Sequence, residues 1–423
     1  MHISLDSRLN RRALLGGLAV VLILYLGAVT REFLGGVLGD RPTLGSLRAA
    51  TRLVPDNADY HYRLGRYYDL VARDETAAMA QYQLAVRFNP YDSRYWLGLA
   101  DIYQALGDAT SQSRAIERAI AVDPTTPDLA WEAANLYLAQ GETEKAMHEF
   151  HVVLESSPDK FPLAIYMCWR VSPDVDALLH GVIPPSVDSY LYFLSFLMSK
   201  QETEGTLKVW DALFRLHQPV DMQQVFEYIR YLLLHREADE APLVWKQATS
   251  LVGLGAYLPS SNNSVVNGSF SLDVLNGGFD WQYRKQSSVT LTLDTNELHD
   301  GHRSLSITFD GPGIPDAGIY QLIAVRPNTT YQFSGYYRNN EIDGAGGPHF
   351  ALQDMYTPVT YFIGPELKDA PEWKNASGEF TTGPDTKILV LSVPRVPSGS
   401  PIRGKLWIAD FRLVESKLDG GPS

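Results

Sequence analysis

Cysteine is almost absent: Cys168 is the single one in 423 residues. One thiol closes no internal disulfide, so the fold must rest on packing alone. Its neighbours Tyr166, Met167 and Trp169 offer nothing that lowers a thiol pKa, so Cys168 reads as a buried structural residue rather than a nucleophile. Long basic runs are absent too, and 36 Lys and Arg against 49 Asp and Glu give a net charge of −13. That balance argues against a nucleic-acid partner and fits a protein kept dispersed by its own charge. There is no phosphate loop, no nucleophile elbow and no HExxH zinc motif, and the carboxylates are scattered. No enzymatic activity is expected.

Charge itself is missing from residues 13–30, ALLGGLAVVLILYLGAVT. As a helix at ~1.5 Å per residue this run covers about 27 Å, enough for a bilayer core. Arg8, Arg11 and Arg12 precede it, while Arg31 and Glu32 cancel after it. The charge bias predicts a cytoplasmic segment 1–12, a transmembrane helix 13–30 and export of the remainder. The chain is thus expected to be a single-pass inner (cytoplasmic) membrane protein with its bulk periplasmic or extracytoplasmic. A cleaved signal peptide competes, but Leu26 before Ala28 places the small residues poorly for cleavage. Residues 31–42 read as a juxtamembrane linker or a continuation of the helix.

Next comes a period. Pro90, Pro124 and Pro158 stand 34 residues apart, and the residues between them repeat in step. One unit reads Trp96, Leu99, Ala100, Tyr103, Gly107, Ile116, Ala119, Pro124. The next reads Ala133, Ala134, Tyr137, Gly141, Ala146, Phe150, Val153, Pro158. The unit before carries Leu64, Gly65, Tyr68, Ala78, Tyr82, Ala85 and Pro90, with one extra residue in its central turn. Such a period predicts stacked helical hairpins, with small residues where backbones approach, glycine closing each first helix and proline stopping each second. Ala100 and Ala134 are expected at close contacts, and Gln112 outside them. The pattern resembles the tetratricopeptide repeat family, and residues 43–158 are assigned to it. The resemblance implies that first helices line a concave partner-binding groove, which here gives Tyr62, Arg66, Asp69, Arg94, Asp101, Gln104, Trp131 and Asn135. Trp131 stands out, because this register needs no aromatic there for packing. Glu144, His148 and His151 share one helix face, which reads as a solvated outer surface rather than a metal site.

From 159 to 258 the register fades but helical spacing persists, as in Leu207, Trp210, Leu213, Phe214 and Val225, Ile229, Leu232, Leu233. These residues are expected to continue the solenoid as degenerate hairpins. Residues 259–265 form a polar linker. Alternating runs then take over around Val289, Ser304, Thr330, Lys387 and Lys405, the signature of an all-β sandwich or jelly roll over 266–415. Residues 416–423 read as a disordered tail.

The sandwich opens Asn267-Gly268-Ser269-Phe270 and Gly277-Gly278-Phe279-Asp280-Trp281, and closes Trp407-Ile408-Ala409-Asp410-Phe411. In this order it resembles carbohydrate-binding modules of galactose-binding-like jelly-roll fold. Sugar binding needs a flat aromatic with hydrogen-bonding groups. Candidates are Trp281, Gln321, Tyr336, Arg338, Gln353 and Trp373, with a place in the core as the competing reading for Trp281 and Trp373, and with Tyr331, Phe333 and Tyr337 on the opposite, core face of their strand. The resemblance also admits a structural calcium at Asp410; an ordinary exposed aspartate is the competing reading. No other cofactor is expected. The architecture resembles bacterial envelope proteins associated with exopolysaccharide assembly or export. It implies a scaffold that holds a protein partner in the membrane or periplasm, or a glycan-binding module spaced from the membrane by repeats, with polysaccharide as its ligand.

Overall fold

A computed structural model describes residues 8–416. The expected tail lies outside the described residues except for Ser416, as do the first seven residues of the N-terminal segment. The chain divides into two compact units, Met1–Pro185 and Ser186–Ser423.

The first unit is all helix. Helix α1 (Arg8–Gly39) is long and apolar enough to cross a membrane, and its apolar window is entirely unburied. It does not stop at residue 30. Of the two readings of this segment, residues 31–39 follow the helix continuation and pack on the repeats. A Cβ at Gly35 would lie 2.7 Å from Val54, and one at Gly39 2.7 Å from the Tyr60 ring. Only glycine permits that approach.

After α2 (Leu44–Leu53) come three hairpins: α3 (Ala58–Tyr67) with α4 (Glu75–Phe88), α5 (Ser93–Ala105) with α6 (Ala109–Val122), and α7 (Pro127–Gln140) with α8 (Thr143–Ser156). Each second helix ends two residues before its proline, and Asn89, Asp123 and Ser157 take φ of −142°, −144° and −137°. Proline forces its predecessor out of the helical region. Gly107 and Gly141 sit at φ +73° and +80° after α5 and α7, where a left-handed cap is needed. The first hairpin has no glycine there. Its extra residue is absorbed by a π-helical turn, Tyr68–Ala72, closed by Arg73 at φ 56°. Helices α9 (Phe161–Val171) and α10 (Val175–Gly181) complete the unit. Cys168 is fully buried, and burial pushes its thiol up to about 12.

The second unit holds α11 (Val187–Lys200), α12 (Thr203–Phe214), α13 (Met222–Leu234), α14 (Glu240–Leu251) and an antiparallel sandwich. One sheet has the order β1-β4-β9-β6-β7, from β1 (Gln282–Tyr283), β4 (Asp316–Ala324), β9 (Ile388–Pro394), β6 (Ala351–Asp354) and β7 (Thr360–Ile363). The other has the order β2-β3-β10-β5-β8, from β2 (Val289–His299), β3 (His302–Gly311), β10 (Ile402–Glu415), β5 (Thr330–Gly344) and β8 (Lys374–Thr381). All five alternating runs seen in the sequence are strands. Phe270, Trp281, Phe333, Phe350 and Phe411 meet between the sheets.

Residues 259–265 are not a free tether. Asn263 donates to the Phe411 carbonyl at 3.0 Å, Ser264 N–H donates to the Leu413 carbonyl at 2.8 Å, and Val265 is buried. Helix and sandwich also share a core. The buried Trp245 indole donates to the Tyr257 carbonyl at 2.9 Å and packs 6.5 Å from the Phe279 ring. A Cβ on Gly278 would come within 2.2 Å of Trp245, and one on Gly277 within 2.2 Å of Phe226. A fragment beginning at residue 260 is therefore expected to melt below one beginning at 186, because it strips these sockets of their aromatic rings. Equal melting temperatures would show that the shared core adds nothing.

The repeat phase is also testable. Ala100 and Ala134 have no exposed surface, as their close-contact positions require. Leucine at either is expected to overpack the hairpin by roughly 1–3 kcal/mol. Gln112, expected outside the contacts, is buried instead, and its Nε2 has no hydrogen-bond partner among the described residues. A stranded buried amide costs about 1–3 kcal/mol, so Gln112→Leu is expected to be neutral or stabilising while Ala100→Leu lowers the melting temperature.

Candidate functional site

The first helices of the hairpins carry the predicted groove residues. Tyr62 on α3 is half-buried, with Tyr95 at 5.0 Å, Tyr82 at 5.8 Å and the Arg94 guanidinium over its face at 5.6 Å. Arg94 is drawn into a bidentate pair with Asp92, at 2.6 and 2.9 Å. Arg66 has no hydrogen-bond or ion-pair partner among the described residues. Asp69 accepts a long 3.5 Å hydrogen bond from Tyr82. Gln104 is exposed, and Asn135 donates to the Trp131 carbonyl at 2.8 Å. Trp131 does pack: it meets Phe150 edge-on at 5.6 Å, so the aromatic has a role inside its own hairpin.

Sequence reasoning missed Glu132. Asp101 keeps contact with solvent, yet the groove walls thin its water shell and the charges of Glu132 and Asp69 act on it. Together these push its carboxyl up to about 6. Glu132 is raised as well, by burial and then Asp128, with Arg66 and Lys160 opposing. Asp101 and Glu132 thus form no ion pair among the described residues, and Arg66 is a nearby cation whose charge partly offsets the rise of Glu132.

On the sandwich the predicted residues separate. Trp281 is fully buried in the core, its indole donating to the Asn267 carbonyl at 3.1 Å, so it cannot meet a sugar. Gln321 is equally buried: it accepts from Val266 N–H at 3.2 Å and donates to the Val266 carbonyl at 2.7 Å, pinning the entering chain. Gln353 is exposed on β6, in the opposite sheet from Tyr336 and Arg338. Alternation along β5 holds: Tyr331, Phe333 and Tyr337 are buried, while Tyr336 and Arg338 project outward.

The outward face is where residues converge. His299 lies 4.1 Å from the Tyr336 ring and 5.1 Å from Trp373, whose indole donates to the Leu298 carbonyl at 3.0 Å. Arg338 pairs with Glu297 at 2.5 Å and lies over Trp407 at 6.0 Å. Lys405 lies over the same ring at 4.7 Å. The Trp407 indole donates to Asp294 at 2.9 Å, and this bond first, with backbone and Lys405 bonds, holds the Asp294 carboxyl down near about 2. Trp407 is therefore capped by cations. Tyr336 and Trp373 are left as the half-exposed aromatics of this face.

Asp410 sits at φ 44° in a bulge between Ala409 and Arg412. Its carboxylate gathers with His299 and Asp300, their ligating atoms all within 4.8 Å of one another. Arg412 also bonds Asp410, at 3.2 and 3.3 Å. An imidazole and a guanidinium around two carboxylates do not fit calcium, which takes six to eight oxygens. The helix-face set gathers nothing: His151 faces the Val182 carbonyl at 2.9 Å, and His148 and Glu144 are exposed.

With this geometry in view, the relatives are informative. A carbohydrate binding domain family matches residues 262–397, and a tetratricopeptide repeat family matches residues 93–126. The chain therefore carries a tetratricopeptide repeat region followed by a carbohydrate-binding-module-like β-sandwich, with an apolar N-terminal helix. Both are non-catalytic kinds of domain. Tetratricopeptide repeat protein 37 of Xenopus laevis is 29% identical over 107 residues, which is 24% of this chain and 7% of that protein. The chain thus spans only a small part of that relative. Among solved structures, a family-4 carbohydrate-binding module aligns at 17% identity and TM-score 0.28, over 36% of this chain and 100% of that one. MamA aligns at 22% identity and TM-score 0.25, over 28% of this chain and 68% of that one.

The raised carboxyl of Asp101 has a consequence with a definite sign. Native Asp101 binds its proton more tightly than an unfolded aspartate with pKa about 3.9, so falling pH stabilises the fold through this group between about 6 and 4. Asp101→Asn is expected to raise the melting temperature most at pH 7 and above, with the gap closing below about pH 4. A gap constant from pH 4 to 8 would remove the assigned strain.

Proposed function

We propose that the protein is a membrane-anchored extracytoplasmic scaffold whose repeat groove recruits a protein partner, in envelope polysaccharide assembly or export. The observation that carries this reading is the groove itself. Arg66, Asp101 and Glu132 lie on consecutive first helices and form no ion pair among the described residues, and Arg and aromatic side chains are the residues that anchor interfaces. The apolar helix α1 supports the anchor, and its arginine flank supports export of the remainder. The polysaccharide setting rests on the kinship of the sandwich with carbohydrate-binding domains.

A second reading has one observation in its favour. Tyr336, Trp373 and His299 form an aromatic cluster on an outward sheet face, as a glycan-binding module displayed from the membrane by its repeats would present. Ring stacking of this kind is weak, in the micromolar to millimolar range as an order of magnitude.

Photo-crosslinking in cells separates the two. A photoreactive residue at Arg66 or Asp101 is expected to trap a discrete protein, and one at the exposed Glu117 on α6 is not. Equal trapping at all three sites would sink the groove reading. Binding of polysaccharide lost in Tyr336→Ala with an unchanged melting curve would favour the second. For topology, reporter fusions after residue 60 and at the C-terminus are expected to be active only in the exported compartment. A cytoplasmic C-terminus would refute the extracytoplasmic placement of residues 43–423.

A further inference from the structure

The core shared by α14 and the sandwich is not closed on every side. Between α14, the chain entering the sandwich and β4 lies a cavity of about 370 Å³. Protein interiors hold few voids larger than a water molecule, so a space of this size beside a fitted core calls for an occupant. Its walls are apolar. They include Leu258 and Val266 of the entering chain, and Leu322 and Ala324, which alternate along β4 with the buried Ile323. Trp245 adds ring surface without a free donor, since its indole N–H already donates to the Tyr257 carbonyl. The charged groups stand at the mouth. Leu243 and Lys246 are three residues apart, hence neighbours on one face of α14, and both are exposed. Asp239 lines the cavity as well, but it is paired with Lys387. Lys246 is in no ion pair among the described residues. A lysine lays its stem along apolar surface and keeps its ammonium in water, so the mouth offers one uncompensated cation above an apolar interior.

We propose that this cavity binds a single alkyl chain ending in an anionic head, the head on Lys246 and the chain between α14 and β4. Binding sites for small molecules are concave and mostly apolar, with a few placed polar groups, and this one has that form. Size sets the length of the guest. A dry apolar cavity of about 150 Å³ takes up benzene, so by the same scale this one takes a chain of roughly ten to twelve carbons. Charge sets the head: a carboxylate or phosphate forms a charge-assisted hydrogen bond with the ammonium, and a cationic head is repelled. A sugar is a poor guest here. It needs several hydrogen-bonding groups around its ring, and behind the mouth the lining offers one polar side chain with a free role, Ser264. The proposal concerns a different part of the molecule from the repeat groove and does not depend on what that groove recruits.

The test uses the full chain in phosphatidylcholine nanodiscs and equilibrium dialysis against radiolabelled decanoate. Decanoate also enters the bilayer, so Ala324→Phe, which fills the cavity, serves as the reference in identical nanodiscs. Should that variant not fold, Leu243→Glu, at an exposed position, blocks the mouth instead. The parent is expected to bind saturably about one equivalent more than the reference, with affinity rising about fourfold per methylene from hexanoate to decanoate. Lys246→Glu is expected to weaken binding about tenfold and Lys246→Arg to stay within about threefold of the parent, both with unchanged melting curves. Decyl phosphate run in parallel tells a phosphate-headed lipid from a fatty acid, the tighter of the two naming the head. A decanoate with a diazirine at its chain end is expected to label α14 or β4. Equal uptake by parent and reference overturns the proposal, and so does binding indifferent to chain length or to the charge at position 246. Equal competition by decyltrimethylammonium, or labelling confined to α1, likewise removes it.

Discussion

The Tyr82 ring is the contact on which the repeat unit depends. It is almost fully buried, and a Cβ on Gly65 of α3 would lie 2.8 Å from it while one on Gly98 of α5 would lie 2.9 Å away. One aromatic ring therefore sets the spacing of two consecutive first helices, and glycine is the residue that lets both reach it. Interiors pack too densely to absorb an added methyl group at either place without displacement. The same ring carries its hydroxyl to Asp69 in the groove. Burial raises the Tyr82 pKa, ahead of the charges of Asp69 and Asp101, so the phenol stays protonated and donates. Stack geometry and groove chemistry are thus joined at one side chain.

The second unit repeats this device with the roles placed differently. There the rings belong to helices α13 and α14 and the glycines to the sandwich, where Phe226 and Trp245 occupy sockets over Gly277 and Gly278. Tyr356 on the sandwich donates to the Leu233 carbonyl at 3.0 Å with the Arg236 guanidinium over its ring, and Lys387 pairs with Asp239. Apolar burial sets the fit, and the polar contacts ring it. Exposed ion pairs contribute little by themselves, so Trp245 and Phe226 carry the association.

What the sequence made legible were features with a period or a geometric stop. Prolines 34 residues apart marked the ends of second helices because proline constrains its predecessor locally. Gly107 and Gly141 marked caps for the same local reason. Alternation along β5 separated Tyr336 from Tyr337 correctly because side chains must point to opposite faces. What escaped depended on distant partners. Trp281 and Gln321 looked like glycan candidates because nothing nearby in sequence shows that Phe411 covers the one and Val266 engages the other. The segment 259–265 looked like a tether because its polar side chains gave no hint of the last strand, β10, that they bond. Gln112 looked peripheral because a polar residue at a buried helical position breaks the pattern that normally reveals burial. The extra residue of the first repeat was countable, but whether it becomes a loop or a π turn is decided by packing.

The glycines of α1 extend the same logic to the apolar N-terminal helix. Gly35 and Gly39 bring its far end against Val54 and Tyr60, so the apolar helix and the first repeat meet through close backbone contact rather than through a flexible tether. Tyr60 is about one turn from Arg63 and about two from Arg66 on α3, and its phenol pKa is raised by desolvation and then by Glu32 and Asp40. The residue that receives α1 is therefore on the helix that carries Arg66. A substitution that enlarges Gly39 would have to move Tyr60, and with it the helix bearing Arg66. The positions of α1 and of Arg66 are set by one contact, which is why the chain spends glycine, a poor helix former, at the end of that helix.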